Sequence, residues 1–394
     1  MRREFFISIY LFVFKLIFNF FKKRPLENKT VFVASFGGNV NATIGALDNL
    51  VENHQIIILA DENYNAYAVD RDNQVTLSFK PSRLRDFVTS IYHLATARHV
   101  FVDNYYGFLA VTEFKPEVKC VQLWHAAGAI KQFGLEDLSN RGRTNKALQR
   151  FHAVYNRFDY ITVGSDYMMD IFQDSFAVPK NRFLKSGIPR TDFFFDKLQK
   201  QQAIETIERD FPLMKDKKVI LYAPTYRDDE LDATNLQIDF DVMYQKLKHD
   251  YILLLRLHPA VNDKFENKYP GFIFNVTTYP NINDLLVGAD ILITDYSSIP
   301  FEFSLLERPM IFYAYDYEEY RDKRGVWSDY YTRVPGPVVE TTEEIIEVIQ
   351  DKTFELERVQ PFAREWNKYS NGHSSENVVR AVYELEEQKL RELV

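Results

Sequence analysis

The most informative stretch of this chain is residues 289–302, which read ADILITDYSSIPFE. A short apolar run ends there in a small polar turn, and a helical pattern follows directly. In an open α/β sheet this arrangement builds a phosphate site, because backbone N–H groups at the start of the helix point outward. Ser297 and Ser298 add hydroxyls to such a site, and Glu302, one turn into the helix, is placed to accept ribose hydroxyls. The alternatives are helix capping by the serines and a solvated Glu302.

Two further apolar runs end in residues that suit a nucleotide diphosphate. One leads into Arg256 and His258, which point to the same side because side chains alternate along a strand. A guanidinium and an imidazolium on one side of a strand suit a phosphate anion. The other run leads into Thr225 and Arg227. We therefore predict one crevice that holds a nucleotide diphosphate, although an ordinary strand end stopped by proline also explains the first of these patterns.

A candidate general base lies at the end of another predicted strand. The sequence QLWHAAG, residues 122–128, puts His125 at or just beyond the carboxyl end of that strand. The small residues after it allow a substrate hydroxyl to approach, and the ordinary pKa of histidine suits proton abstraction at neutral pH. A histidine that caps a strand and bonds to backbone is the alternative.

Composition narrows the class of protein. With 46% hydrophobic and 26% charged residues, the chain of 394 residues is typical of a globular protein with two domains. The net charge of −8 shows no overall basic field, so nucleic acid is not an expected partner. The single cysteine, Cys120, excludes an intramolecular disulfide and a multi-thiolate zinc site and favours the reducing cytoplasm. The acidic run at 228–232 lacks metal-loop spacing, so we predict neither a metal nor a cofactor.

The N-terminus carries a separate signal. Residues 5–21 are almost wholly apolar and are flanked by Arg and Lys. A helix of this length is about 25 Å long, which is short for a membrane span of roughly 30 Å. Its polar positions fall within about 60° on a helical wheel; they are Glu4, Ser8, Lys15, Asn19 and Lys22. We predict that residues 1–24 form an amphipathic helix lying in the cytoplasmic membrane interface, held against anionic lipid. A span and a helix buried in protein are the alternatives.

The rest of the chain alternates strand-like and helical patterns, which predicts a mostly parallel sheet. The predicted strands are 30–35, 55–60, 99–103, 119–123 and 160–164, then 218–222, 251–257, 272–276, 290–294 and 310–312. A polar, helix-favouring stretch begins near residue 197. We therefore predict an α/β protein with two Rossmann-like, doubly wound domains, 25–196 and 197–394, that face a cleft.

Five motifs in a fixed order carry a resemblance to a known family. They are WHAAG at 124–128, GIPRTD at 187–192, YAPTYR at 222–227, RLHP at 256–259 and TDYSS at 294–298. In these the chain resembles the CDP-glycerol glycerophosphotransferases of wall teichoic acid synthesis in Gram-positive bacteria. The resemblance implies a GT-B arrangement and work at the cytoplasmic membrane face, as a peripheral protein, on undecaprenyl-pyrophosphate-linked acceptors. Nothing in the sequence decides between a monomer, a homo-oligomer and a wall-synthesis complex.

The resemblance also implies roles for the candidate residues. An acceptor hydroxyl attacks the glycerol-bearing phosphorus of CDP-glycerol, and CMP leaves. His125 is then the general base. The remaining matched residues hold the donor or stabilise the departing CMP; they are Thr225, Arg227, Arg256, His258, Ser297, Ser298 and, at the ribose, Glu302.

Within the family, the sequence Ala-Ala-Gly after the Trp-His pair, in place of Gly-Thr-Pro, favours the priming reaction. That reaction adds the first glycerol phosphate to ManNAc-GlcNAc-PP-undecaprenyl. Chain elongation or polymerisation, with glycerol or ribitol, stays open. A GT-B nucleotide-sugar glycosyltransferase and a non-catalytic membrane scaffold are the rivals from outside the family.

Overall fold

The computed structural model describes residues 2–62, 64, 71–225, 227, 236–257, 265–327 and 329–385. The chain divides into two compact units. The first comprises the chain up to Ala126, Phe133–Asp192 and the chain from Asn367 onward, and the second comprises Ala127–Gln132 and Phe193–Trp366. The division at Asp192 lies close to the predicted one at 196. The segment from Asn367 onward, however, belongs with the first unit and not with the predicted second domain, 197–394.

The first unit is built on a parallel sheet. Its strands are β1 (Glu27–Ala34), β2 (Gln55–Ala60), β3 (Gln74–Ser78), β4 (Ala97–Val102), β5 (Lys119–Gln122), β6 (Tyr160–Thr162) and β7 (Phe183–Leu184). The described residues pair in the order β3-β2-β1-β4-β5-β6-β7. Its helices before the division are α1 (Arg2–Phe21), α2 (Gly38–Leu50), α3 (Leu84–Thr96), α4 (Asn145–Tyr155) and α5 (Asp166–Phe176).

The second unit has the same design. Its strands are β8 (Lys218–Tyr222), β9 (Tyr251–Leu255), β10 (Ile273–Asn275), β11 (Ile291–Thr294), β12 (Met310–Tyr313) and β13 (Val338–Val339), paired as β10-β9-β8-β11-β12-β13. Its helices are α6 (Lys197–Asp210), α7 (Phe240–Leu247), α8 (Ile282–Gly288), α9 (Ile299–Phe303), α10 (Tyr317–Arg324), α11 (Tyr330–Arg333), α12 (Thr342–Asp351) and α13 (Val359–Trp366). The last helix of the described chain is α14 (Ser374–Tyr383).

Both sheets have the strand order of a Rossmann fold, which confirms the predicted fold class. In each unit the order reverses beside the first strand, at β1/β4 and at β8/β11. Loops that follow these strands are where an open sheet of this kind binds ligands. Three strands at the edges of the sheets, β3, β7 and β13, were not predicted. Strand β3 is partly exposed, and β7 and β13 have two residues each.

The last helix returns to the first unit for a physical reason. Helix α14 packs on α2, burying three valines of its own, Val378, Val379 and Val382. The carboxylate of Asp192 accepts hydrogen bonds from the backbone N–H groups of Ser374 and Ser375, both at 2.8 Å, and so caps the helix. Nearby, Gly187 has φ +82, and a Cβ there would lie 2.6 Å from the carbonyl oxygen of Tyr369. The motif at 187–192 therefore holds the C-terminal helix.

Helix α1 is present where the sequence predicts it, and one side of it packs on the first unit. Phe14 and Phe18 are fully buried, and the ring of Phe14 stacks on that of Phe108 at 5.0 Å. At the start of the helix, Glu4 accepts two hydrogen bonds from Arg150, at 2.9 and 3.1 Å. The helix is long and apolar enough to cross a membrane, over Glu4–Phe21.

Candidate active site

His125 is presented by a strained turn at the end of β5. Trp124, just before it, has φ +58, a left-handed conformation that a bulky residue rarely adopts. The turn is held in place because the side-chain oxygen of Gln122 accepts a hydrogen bond from the backbone N–H of Trp124 at 2.9 Å. Strain of this kind persists where the surrounding structure fixes it, and it is common at functional sites.

The imidazole of His125 has a defined tautomer and defined faces. Nδ1 lies 3.1 Å from the carbonyl oxygen of Asp103, and since a carbonyl only accepts, Nδ1 is the donor. Nε2 then carries the lone pair of the neutral ring, as a general base requires. The ring stacks on Phe36 at 4.1 Å and 17° and on Trp124 at 4.4 Å and 27°. Two rings at these distances would overlap on one face, so they cover opposite faces of the imidazole.

Asp103 joins the histidine to the loop after β1. Its carboxylate, which is buried, accepts backbone N–H bonds from Ser35 at 2.9 Å, Phe36 at 2.8 Å and Gly37 at 3.1 Å. Burial raises the pKa of this carboxyl above its ordinary value, while the three N–H groups oppose that shift. The backbone N–H groups of the loop that follows β1, which contains Gly37 and Gly38, thus bind a carboxylate of the protein itself.

Two more side chains fix the backbone around His125. Asn39 Nδ2 donates to the carbonyl oxygens of Leu123 at 3.0 Å and Trp124 at 2.9 Å. Arg190 Nη1 donates to the carbonyl oxygen of His125 at 3.0 Å, and the backbone N–H of Arg190 donates to Asn39 Oδ1 at 2.9 Å. Neither residue was predicted from the sequence, and neither was Asp103. The signals that could have found them are the position of Asn39 in FGGN (36–39), of Arg190 in GIPRTD (187–192) and of Asp103 at the end of the predicted strand 99–103.

In the second unit, three neighbouring strand ends bring most of the predicted donor residues to one edge of the sheet. The order β9-β8-β11 places Arg256, Thr225 and Ser297 after adjacent parallel strands. The centre of this edge is Asp295, which is 2% exposed. Its carboxylate accepts backbone N–H bonds from Thr225 at 2.8 Å and from Tyr296 at 2.6 Å. Asp295, which the sequence analysis did not single out, therefore fixes the backbone of the predicted crevice residue Thr225.

Arg227 is engaged by carboxylates of the protein. Nη1 donates to Asp295 at 2.6 Å, and Nε and Nη2 donate to the two oxygens of Asp316 at 2.9 and 2.8 Å. Nη1 also donates to the carbonyl oxygen of Thr225, so four of the five N–H donors of the guanidinium are used. Burial alone lowers the pKa of Arg227, but the carboxylates outweigh it and raise the pKa. The guanidinium also lies over three rings, at 5.2 to 5.3 Å from those of Tyr296, Tyr315 and Tyr320.

The other residues predicted to bind the nucleotide make fewer hydrogen bonds within the protein. Ser297 Oγ accepts from the backbone N–H of Ile299 at 3.2 Å, whereas Ser298 makes no side-chain capping bond to α9. The hydroxyl of Thr225 is buried and has no hydrogen-bond partner among the described residues. Glu302 is 2% exposed, so the interpretation of this residue as a solvated helix position is wrong. These groups are polar, close to the end of β11 and protected from solvent to different degrees.

One nitrogen of the Arg256 guanidinium is hydrogen-bonded to the backbone of a neighbouring turn. Nη1 donates to the carbonyl oxygens of Val276 at 2.9 Å and Tyr279 at 2.7 Å, which fixes the turn after β10. Burial lowers the pKa of this arginine. The other half of the predicted pair, His258, lies outside the described residues, as does the acidic run at 228–232.

The segment that follows His125 belongs to the second unit. Lys131 pairs with Val326 in an antiparallel bridge, and Gly128 lies so close to Phe301 that a Cβ would come within 2.6 Å of its ring. Burial lowers the pKa of Lys131, and the nearby carboxylate of Asp295 opposes that shift. In the described part of the chain there is no group of three or more His, Cys, Asp or Glu side chains that could hold a metal.

Comparison with known proteins decides the family. The profile described as CDP-glycerol:poly(glycerophosphate) glycerophosphotransferase matches residues 16–384. The chain belongs to this family. It is therefore a glycerophosphotransferase of teichoic acid synthesis, as the five motifs predicted.

Individual relatives refine this position. The teichoic acid glycerol-phosphate primase of Bacillus subtilis (strain 168) is 34% identical over 384 residues, which cover 97% of this chain and 99% of the primase. The teichoic acid poly(glycerol phosphate) polymerase of the same strain is 31% identical over 393 residues, covering 95% of this chain and 51% of the polymerase. A solved structure of a variant of the wall teichoic acid polymerase TagF is similar with a TM-score of 0.82 at 24% identity, covering 99% of each chain. This likeness confirms the GT-B-like fold.

Proposed function

We propose that this chain transfers glycerol phosphate from CDP-glycerol to a lipid-linked disaccharide, ManNAc-GlcNAc-PP-undecaprenyl, as the priming step of wall teichoic acid synthesis. The acceptor hydroxyl attacks the glycerol-bearing phosphorus, the bridging P–O bond to the cytidylate breaks, and CMP leaves. The observation that carries the chemistry is the hydrogen bond from His125 Nδ1 to the carbonyl oxygen of Asp103. It leaves the lone pair on Nε2, which takes the proton of the attacking hydroxyl.

The donor is proposed to bind at the carboxyl edge of the second sheet. Ser297, Ser298 and the hydroxyl of Thr225 offer hydrogen bonds to the diphosphate, and Arg256 offers the donors that it does not use on the turn after β10. In phosphoryl transfer a protein acts mainly by positioning groups and balancing charge. We assign Arg227 an indirect role, since its guanidinium holds Asp295 and Asp316 in place. We also propose that Glu302 contacts the ribose and that His258 contacts the diphosphate.

Two observations support priming over polymerisation. The primase of Bacillus subtilis is 34% identical over 97% of this chain, compared with 31% over 95% for the polymerase. The Ala-Ala-Gly sequence after the Trp-His pair supports the same choice.

The test is to incubate the purified chain with CDP-glycerol and a soluble analogue of the lipid-linked disaccharide, following CMP release and product mass together. CMP with one glycerol-phosphate increment supports priming. A ladder of increments assigns polymerisation instead. Absence of CMP from folded protein with intact substrates overturns the proposal, and release of a nucleoside diphosphate from a nucleotide sugar would point to a glycosyltransferase.

The base assignment has its own test. His125→Ala should lower kcat by about 10²–10⁴-fold, the usual contribution of a general base. The residues proposed to bind CDP-glycerol follow strands of the second sheet. The dissociation constant of CDP-glycerol, measured by calorimetry, should therefore stay within about twofold. Lost donor binding with unchanged turnover would contradict this assignment. Asn39→Ala serves as a comparison, since it disturbs the backbone of the turn and keeps the imidazole.

We further propose that α1 lies in the cytoplasmic membrane interface. Its exposed side is a continuous apolar stripe within about 120° on the helical wheel, made of Phe5, Phe6, Ile9, Phe12, Val13, Leu16 and Phe20. Lys15 and Asn19 border this stripe and are exposed. Phe14 and Phe18 are buried in the first unit. Binding of the helix to the membrane surface keeps this packing, whereas a helix that spans the membrane would lose it.

The structure sharpens the membrane test. Deleting residues 1–24 should move the protein to the soluble fraction, but it also uncovers the surface on which Phe14 packs. Replacing Phe5, Phe12 and Phe20 together with Ser keeps that packing and removes roughly 1.5–3 kcal/mol of apolar transfer energy per side chain. The triple variant should no longer float with vesicles containing phosphatidylglycerol, while its unfolding midpoint stays close to that of the wild type. Undiminished flotation would place the membrane contact elsewhere.

A further inference from the structure

Phe36 is an aromatic ring that the fold presents beside the proposed base and leaves half exposed. Its side chain is 50% exposed, although the ring is parallel to that of His125 at 4.1 Å. The backbone beneath it is rigidly held, because its own N–H and those of Ser35 and Gly37 all donate to the buried carboxylate of Asp103. A ring in this position is therefore fixed in place with part of its surface available.

The two rings that flank the imidazole differ in their surroundings. Trp124 packs edge-on against Phe172 and Phe176, both at 5.5 Å, so it is backed by the core of the first unit. Phe36 has His125 as its ring partner within the described chain. Because both faces of the imidazole are covered, a substrate hydroxyl reaches Nε2 along the edge of the ring. The group that carries this hydroxyl then lies beside Phe36.

We propose that Phe36 is a binding platform for the acceptor, on which the pyranose ring that carries the attacking hydroxyl stacks. This inference rests on the proposed function. The hydroxyl oxygen has to lie roughly 2.6–3.2 Å from Nε2 to give up its proton. The sugar ring begins one bond beyond that oxygen, within reach of a phenyl ring that runs parallel to the imidazole. The C–H face of a pyranose is apolar, and an aromatic face with its negative quadrupole binds it favourably.

The platform also discriminates between classes of acceptor. A pyranose has a flat C–H face of the size of a phenyl ring, whereas the end of a glycerol-phosphate chain is flexible, narrow and charged. Burying part of Phe36 under a sugar removes apolar surface from water, but a polyol phosphate leaves most of the ring exposed. An acceptor whose hydroxyl belongs to a sugar therefore gains from Phe36, and a polyol phosphate acceptor gains little.

The experiment compares Phe36→Leu, which removes the aromatic face, with Phe36→Tyr, which keeps it. We measure the dissociation constant of the soluble disaccharide analogue by calorimetry, and then the acceptor KM, the donor KM and the pH profile of kcat. Phe36→Leu should raise the acceptor constants roughly tenfold, the size expected for one lost aromatic contact. Phe36→Tyr should stay near the wild type. The donor KM and the pH profile should not move, and Phe195→Leu, a change at another exposed phenylalanine (42% exposed), should have no effect.

Three outcomes overturn the platform. Acceptor constants that Phe36→Leu leaves unchanged show that the sugar does not contact the ring. A fall in kcat at saturating acceptor, with a shifted pH profile and the same acceptor affinity, shows that Phe36 only orients His125. A wild-type chain that does not bind the disaccharide has no such subsite. A wild type that binds the disaccharide but releases no CMP contradicts the proposed function alone, and the calorimetric comparison of the variants then still decides about Phe36.

Discussion

Replacing Arg227 by Met should destabilise the second unit strongly, and the structure gives the size of the effect. The guanidinium pairs with Asp295, which is 2% exposed, and with both oxygens of Asp316. Removing one partner of a buried ion pair leaves an uncompensated charge and typically costs about 3–5 kcal/mol. The contacts between the guanidinium and three tyrosine rings are lost as well. We expect a decrease of about 3–5 kcal/mol in the free energy of unfolding.

Urea unfolding followed by far-UV circular dichroism measures this change. The matched control is Arg321→Met, which removes a partly exposed arginine whose ion pairs are with Glu318 and Asp322, and its urea midpoint should hardly move. The double variant Arg227→Met, Asp316→Asn removes one of the two orphaned charges and should recover part of the loss.

If Arg227→Met unfolds at the wild-type urea concentration but no longer binds CDP-glycerol, these ion pairs do not stabilise the second unit. That result would return Arg227 to the role of a direct phosphate ligand, which the sequence motif suggested. Loss of stability together with partial retention of donor binding in the surviving folded protein would support the structural role.

Two further predictions concern stability. Asp192→Ala should cost about 1–3 kcal/mol, because it leaves the first N–H groups of α14 without their charged acceptor; Asp192→Asn should cost less. Urea unfolding and hydrogen exchange of α14 check this, and intact stability with lost activity would contradict it. Burial lowers the pKa of His99 from 6.5 to about 4, so the fold favours its neutral form. Its stabilising contribution is full above pH 6.5 and is lost as the pH falls towards 4, by about 2–3 kcal/mol. His99→Phe should flatten the pH dependence of the urea midpoint in that window, and an unchanged slope would show that another group is responsible.

The family and much of the fold could be predicted because their signals are local. Strand and helix periodicity is a property of neighbouring residues, so β1, β2, β4 and the central strands of the second sheet were predicted at nearly their observed bounds. Short edge strands such as β7 and β13 escaped prediction, because two residues carry no periodicity and pair only when the sheet is already present. The packing of α14 on the first unit was not predicted for a similar reason, since a helix pattern does not show which domain its apolar face will cover.

The candidate site divides in the same way. The position of His125, Ser297, Ser298 and Arg256 after predicted strands could be seen in the sequence, because the polar ends of apolar runs are visible along the chain. The tertiary structure alone showed that Arg227 is held by Asp295 and Asp316, and that the Asp103 carbonyl fixes the tautomer of His125. The partners in these contacts lie tens of residues apart in sequence. Whether a charged group is available to a ligand depends on which opposite charges the folded chain brings within hydrogen-bonding distance, and no local pattern carries that information.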